Sequence, residues 1–337
     1  MKVLKPEKII FSLLVSFLGL LMSLFVNRGY FIIDSIVGSE YMNIMSSNNF
    51  QDFGRLGHRI LTPMLSKMFN DIFIFNIVIL AFLLFYITYN FYEKYDKATL
   101  VLLVFSITTT QVVLFTLNFA YYPDPLTILL AVIAIFNLEK NSIFIFTGFL
   151  TLINNEIGIF ILFFLVLVSK DIAKRIKTFS LVVLIYLFYR YFINLLIINQ
   201  ASGISTYFNE LLNFELNFYM IFGIFSGLKF LTIFLLSSKK QSTVLVFLIF
   251  YILIPLNMAV DYTRYGTLLI IVILWVLYND YFLYKKNIKI IALIVVILNI
   301  VTPKYYIWDD QITYLRDSKL HFLDVTGKNF EERNILD

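Results

Sequence analysis

A polytopic bundle of transmembrane helices is the fold class that the sequence predicts, all-α, with about eleven spans and an amphipathic helix in the first extracytoplasmic loop. Three observations carry this reading. Hydrophobic residues make up 60% of the 337 and charged residues only 15%, with a mean hydropathy of +0.84, whereas soluble domains are about a quarter charged. The apolar residues gather into runs of roughly 17 to 25, or into shorter runs in pairs. The basic residues fall mainly in alternate connections between those runs.

The first run, 9–26, follows Lys2, Lys5 and Lys8 and resembles the start of a signal peptide. Its length is that of a full span, and Asn27-Arg28-Gly29 offers no small-residue cleavage pattern, so it is expected to stay as a signal anchor. The segment 27–70 is the longest connection between spans. Its apolar residues Ile33, Ile36, Val37, Tyr41, Ile44 and Met45 have helical spacing and suit a short helix lying along the interface. Further runs lie near 71–92, 98–118, 125–138, 143–153, 157–169, 178–199, 218–236, 242–260, 266–283 and 290–303. The chain therefore divides into a membrane domain, 1–303, and a short extracytoplasmic tail, 304–337, that opens on the interfacial aromatics Tyr305, Tyr306 and Trp308. There is no visible internal repeat and no Gly/Ser-rich or Pro-rich linker.

A cytoplasmic N-terminus sets the orientation. It places Lys2, Lys5, Lys8, Lys94, Lys97, Lys140, Lys170, Lys174, Arg175, Lys177, Lys239, Lys240, Lys285, Lys286 and Lys289 inside. Only Arg28, Arg55, Arg59, Lys67 and Arg264 fall outside before the tail, which satisfies the positive-inside rule. The net charge of +5 is thus topological and implies no nucleic-acid partner. The expected location is the cell (inner) membrane, with the active face and the C-terminus extracytoplasmic. The absence of cysteine excludes a disulfide, a thiolate metal site and a Cys nucleophile. No HExxH, GxSxG, Walker-type loop or GxGxxG stands in a suitable context, which argues against an ATP-driven pump and the usual serine hydrolases.

The outer connections and helix ends hold the polar chemistry. Asp34, a few residues after the first run, either caps the interfacial helix or stands as a base at the mouth of a cavity. Asp124, between Pro123 and Pro125, is a helix-start cap that can also face a metal or a hydroxyl. Glu156, in Asn154-Asn155-Glu156, sits either in a tight outer hairpin or inside one longer helix, where a carboxylate needs a cavity or a partner. Arg190 and Lys229 lie within apolar runs and either snorkel or pair with an inward carboxylate. Arg264 either pairs with nearby Asp261 or clamps a phosphate.

Arg55 and Arg59 are four apart, with His58 beside them, so on a helix they share one face. Paired guanidiniums match phosphate geometry, and a phosphate at this depth belongs to a lipid. The plainer alternative is contact with anionic headgroups.

An acidic residue soon after the first span, the stretch Arg59-Ile60-Leu61-Thr62-Pro63 and the pair Asp124-Pro125 at a span start together resemble the GT-C superfamily. These are polytopic glycosyltransferases that take sugar from polyprenyl-phosphate lipids. The resemblance implies hexosyl or pentosyl transfer from a polyprenyl-phosphate-linked donor to an extracytoplasmic glycan, lipid or protein acceptor. It implies Asp34 as base and Asp124 or Glu156 as assisting group or ligand of a divalent cation, Mg or Mn. Arg55, His58, Arg59 and Arg264 would take the lipid phosphate, and Tyr121 and Tyr122 would stack on the sugar. Two other readings use the same residues: a flippase of a lipid-linked glycan, which needs broken helices, and a non-catalytic membrane scaffold.

Overall fold

A computed structural model of the chain describes residues 5–26, 59–113, 124–196, 218–256, 262–280, 287–302, 305–308 and 311–314. The helices run in chain order as α1 (Pro6–Val26), α2 (Leu61–Ser66), α3 (Ile72–Phe91), α4 (Lys97–Thr108), α5 (Asp124–Phe136), α6 (Asn141–Asn154) and α7 (Gly158–Val168). They continue as α8 (Ile172–Leu196), α9 (Phe218–Leu228), α10 (Gln241–Tyr251), α11 (Tyr262–Leu268), α12 (Ile270–Trp275) and α13 (Ile288–Val301). A pair of short strands follows, β1 (Tyr305–Trp308) antiparallel to β2 (Gln311–Tyr314), with Tyr305 opposite Tyr314. The tail thus turns back on itself where the sequence suggests only a run of interfacial aromatics.

Three stretches, Pro6–Val26, Ile74–Phe91 and Ile172–Ile193, are long and apolar enough to cross a membrane, and the other apolar helices described are shorter. Helix α1 shows what solvent the bundle is built for. Its Ile10, Leu13, Leu14, Phe17 and Phe25 face outward, while Ser12, Ser16, Gly19 and Ser23 are turned inward. That inverts the soluble pattern. Where the surroundings are as apolar as the interior, burying leucine gains nothing, and helices associate through small residues that let them approach closely. Two of the inward hydroxyls are satisfied within the helix, Ser12 Oγ donating to the Lys8 carbonyl and Ser16 Oγ to that of Ser12.

The turns at one end of the bundle carry its lysines. Lys97 meets Glu7 at 2.5 Å and Lys8 meets Glu93 at 3.6 Å. Lys94 bonds the Tyr278 carbonyl and lies over the Tyr278 ring. Lys240 caps the end of α7 by donating to the Val168 carbonyl at 3.1 Å. Arg175, buried on α8, donates to the Leu138 carbonyl and stacks on Phe144. Helix α8 begins at Ile172, earlier than its apolar run suggests.

Several expected spans are interrupted. Helix α4 stops at Thr108, inside the apolar run 98–118, and helical backbone resumes at 111–113. The hydroxyls of Thr109 and Thr110 fold back onto the carbonyls of Phe105 and Ile107 and compete with the helical ladder there. Helix α9 ends at Leu228, and Lys229 takes a left-handed φ of 48° before a tighter 3-10 stretch to Ser237. The Lys229 ammonium reaches the carbonyls of Asn299 at 3.2 Å and Thr302 at 3.0 Å. Asn299 in turn donates to the Ser106 carbonyl and accepts from Phe230 N, so α4, α9 and α13 are stitched where two of them break.

Helices α9 and α11 pack backbone against backbone. A Cβ on Gly266 would lie 2.6 Å from the Gly223 carbonyl oxygen and 2.9 Å from Ile224 Cα, both rigid backbone. A Cβ on Gly148 would meet only side-chain methyls, the nearest at 3.4 Å. Gly266→Ala is therefore expected to cost about 1–3 kcal/mol through overpacking, and Gly148→Ala to stay within about 0.5 kcal/mol. Thermal unfolding of the two variants in one detergent checks the difference.

Candidate functional site

Helices α6 and α7 form a tight hairpin, so Glu156 stands in a turn and not within one long helix. The hairpin closes on Gly158, where a Cβ would come within 2.4 Å of Thr151 Cγ2. This close approach leaves Asn154, Asn155 and Glu156 as the polar tip.

Each tip residue reaches a different part of the chain. The Asn154 side-chain oxygen accepts from Thr62 N at 3.1 Å and from Thr62 Oγ1 at 2.7 Å. Its amide nitrogen donates to Thr127 Oγ1 at 3.0 Å, tying α2 to α5. Asn155 Nδ2 donates to Asp124 Oδ1 at 3.1 Å, while Asn155 Oδ1 accepts from Ile157 N. Asn154, Asn155, Asp124, Thr62 and Thr127 are all buried.

Glu156 faces two guanidiniums. Arg59 Nε donates to Oε2 at 2.7 Å and Arg190 Nη1 to Oε1 at 3.5 Å. Arg190 Nη1 also donates to the Tyr186 hydroxyl, one turn earlier on α8. Side-chain exposure is 14% for Arg59, 22% for Arg190 and 33% for Glu156, so the carboxylate is the most open of the three. Burial alone would raise the Glu156 pKa, but the attraction of Arg59, with hydrogen bonds and Arg190, outweighs it and holds the carboxyl below the ordinary carboxylate range. A carboxylate so held is a counter-ion first and a weak proton acceptor.

The structure thus brings Arg59, Asp124 and Glu156 to one end of the bundle, although the sequence separates them widely. It adds Arg190 as the second partner of Glu156, from a run in which an arginine is expected to pair with an inward carboxylate. The positioning roles of Asn154 and Asn155 were missed by sequence reasoning, although two asparagines beside a carboxylate between short apolar runs are the available signal. Asp34, Arg55, His58, Tyr121 and Tyr122 lie outside the described residues, as does the expected interfacial helix 33–45. Arg264 lies on the backbone of α11, its side chain also outside them.

Among the described residues, no group of three or more His, Asp or Glu side chains converges as a metal site would require. Glu156 is bonded to guanidiniums and Asp124 accepts from Asn155. Comparison with protein-family models, curated proteins and solved structures finds no match.

Asn154→Leu would strip Thr62 N and Thr127 Oγ1 of a buried partner, and it is expected to destabilise the protein by about 2–4 kcal/mol, within the range for lost buried hydrogen bonds. Chemical denaturation in detergent measures the loss. Because the folded Glu156 carboxyl is held below its unfolded pKa, its contribution to stability is complete above the ordinary carboxylate range and is lost as pH falls through the folded value. Melting temperature followed below pH 5 should fall less steeply in Glu156→Gln than in the native protein, and parallel curves would refute this assignment.

Proposed function

We propose that the chain is an integral membrane glycosyltransferase of the GT-C kind, moving a sugar from a polyprenyl-phosphate-linked donor to an extracytoplasmic glycan, lipid or protein acceptor. The observation that carries this reading is the meeting of Arg59 and Arg190 at the hairpin tip, next to a buried carboxylate, Asp124, that Asn155 holds in place. Guanidiniums at the end of a bundle suit a lipid phosphate, and an adjacent carboxylate suits an acceptor hydroxyl. In this proposal the inner lysines place the tip outside, and the shorter apolar helices complete about eleven spans with residues that flank them.

The chemistry divides simply. The acceptor oxygen forms a bond to the anomeric carbon while the bond from that carbon to the phosphate oxygen breaks. The electron pair leaves with the phosphate, and the acceptor proton goes to a carboxylate. Arg59 stabilises the charge that develops on the departing phosphate, with Arg55, His58 and Arg264 assigned to the same task. Asp34 is assigned as base and Asp124 as the group that orients the acceptor, with Tyr121 and Tyr122 against the sugar.

The interrupted helices favour a second reading. The breaks at Thr109–Thr110 and at Lys229, stitched by Asn299, are of the kind transporters place around a substrate path, which suits a flippase of a lipid-linked glycan.

Mass spectrometry of polyprenyl-linked and surface glycans tests the proposal. Deleting the protein is expected to remove one sugar from a surface glycan, and Asp34→Asn to reproduce the deletion. Arg59→Ala should lower the modified product by about a hundredfold, the usual cost of one charge-stabilising donor. A donor that accumulates with its sugar intact on the inner leaflet would support the flippase, and an unchanged profile in all three strains would overturn both.

A further inference from the structure

Glu156 occupies the place where the proposed reading needs a phosphate. Its two oxygens are divided between Arg59 and Arg190, which come from segments far apart in sequence, so one anion bridges two guanidiniums across the end of the bundle. The geometry is also uneven, tight to Arg59 at 2.7 Å and loose to Arg190 at 3.5 Å. Glu156 is carried on a short turn beyond Asn155 and is a third exposed. An anion held this way can be exchanged, whereas the asparagines that anchor the turn are buried and bonded on both sides.

We infer that Arg190 is a second guanidinium of the phosphate seat, and that Glu156 fills the seat as an internal counter-ion until a phosphate group replaces it. The identity of the ligand rests on the transferase reading. The exchange itself rests on the geometry. A phosphate bearing one or two negative charges would bridge Arg59 and Arg190 as the carboxylate does, and it would offer more acceptor oxygens. The released Glu156 would then lie beside the bound phosphate, where like charges repel. Donor binding therefore displaces the turn tip, and the empty seat never stands as two unpaired cations.

The test is a binding measurement on the purified full chain in nanodiscs of zwitterionic lipid. Inorganic phosphate and a polyprenyl monophosphate serve as separate probes, and nanodiscs containing anionic lipid without polyprenyl phosphate form a third arm. Glu156→Gln removes the competing charge and should tighten binding of the true ligand by about tenfold, or 1.4 kcal/mol. Arg190→Gln leaves the Arg59–Glu156 pair in place and should weaken the same binding by about tenfold. Arg190→Lys keeps the charge but not the planar fork and should recover only part of the loss.

If Glu156→Gln loses helical signal, the Arg190 pair of variants decides alone, with melting temperature as a check on folding. Equal phosphate affinity in the native chain, Glu156→Gln and Arg190→Gln would overturn the inference. A gain confined to polyprenyl monophosphate supports a lipid donor, a gain with inorganic phosphate alone supports a soluble one, and an equal response to anionic lipid overturns the polyprenyl assignment. An absence of sugar transfer by the native chain, with these affinity changes intact, would sink the transferase reading and leave the exchange standing.

Discussion

The hairpin tip has to bury two asparagines and hold an ionised, partly open carboxylate beside them, and the arrangement of the whole candidate site follows from that constraint. A polar group in such surroundings stays only if it finds a partner. Asn154 finds Thr62 and Thr127, Asn155 finds Asp124, and Glu156 finds Arg59 and Arg190. Satisfying three consecutive residues therefore fixes α2, α5 and α8 relative to α6 and α7. The segment that carries Arg59 is positioned by the Thr62 bonds three residues later, so Asn154 helps to set the arginine that meets Glu156.

The same rule governs the rest of the bundle. Buried serines on α1, the threonines after α4 and Asn299 on α13 all direct their polar atoms to carbonyls within the protein. Leucines and phenylalanines cover the outside, with Phe17, Phe188 and Phe192 well exposed. Contact between helices then depends on shape more than on hydrophobicity, as at Gly223 and Gly266, where backbones nearly touch. Breaks in the helices are tolerated because side chains bond the freed groups, which is what membrane-embedded irregular backbone requires.

Much of this was legible in the sequence, and for identifiable reasons. Run length revealed helices, since a span must cover a fixed thickness, while the paired short runs around Asn154-Asn155-Glu156 left a hairpin and one longer helix both open, and the structure shows the hairpin. Arg190 was legible as a residue in need of a carboxylate, but its partner was not. Uniformly apolar helices such as α7 have no polar stripe to reveal which face meets which neighbour. The interruptions were hidden for a related reason. Lys229 inside an apolar run suggests snorkelling or a carboxylate partner, and only the three-dimensional placing of Asn299 beside Lys229 and Thr109 shows backbone carbonyls taking the charge at a helix end. The β1–β2 pair was hidden too, because Tyr, Ile and Trp at a membrane boundary suit a headgroup layer as well as a strand.

Two cations in this bundle show how the protein treats charge according to use. Lys229 is 8% exposed, and its ammonium points at backbone carbonyls of Asn299 and Thr302. Those acceptors belong to the end of α13 and cannot leave without unwinding it, so the contact locks structure. Arg59 is met by a side-chain carboxylate on a turn, itself partly open, which can swing away while the backbone stays. A carbonyl dipole satisfies a cation without neutralising it, while a carboxylate cancels a full charge and can be replaced by any anion that offers as much. The difference between a cation fixed in the structure and one open to exchange therefore lies in the acceptor, a backbone carbonyl at Lys229 and a side-chain carboxylate at Arg59.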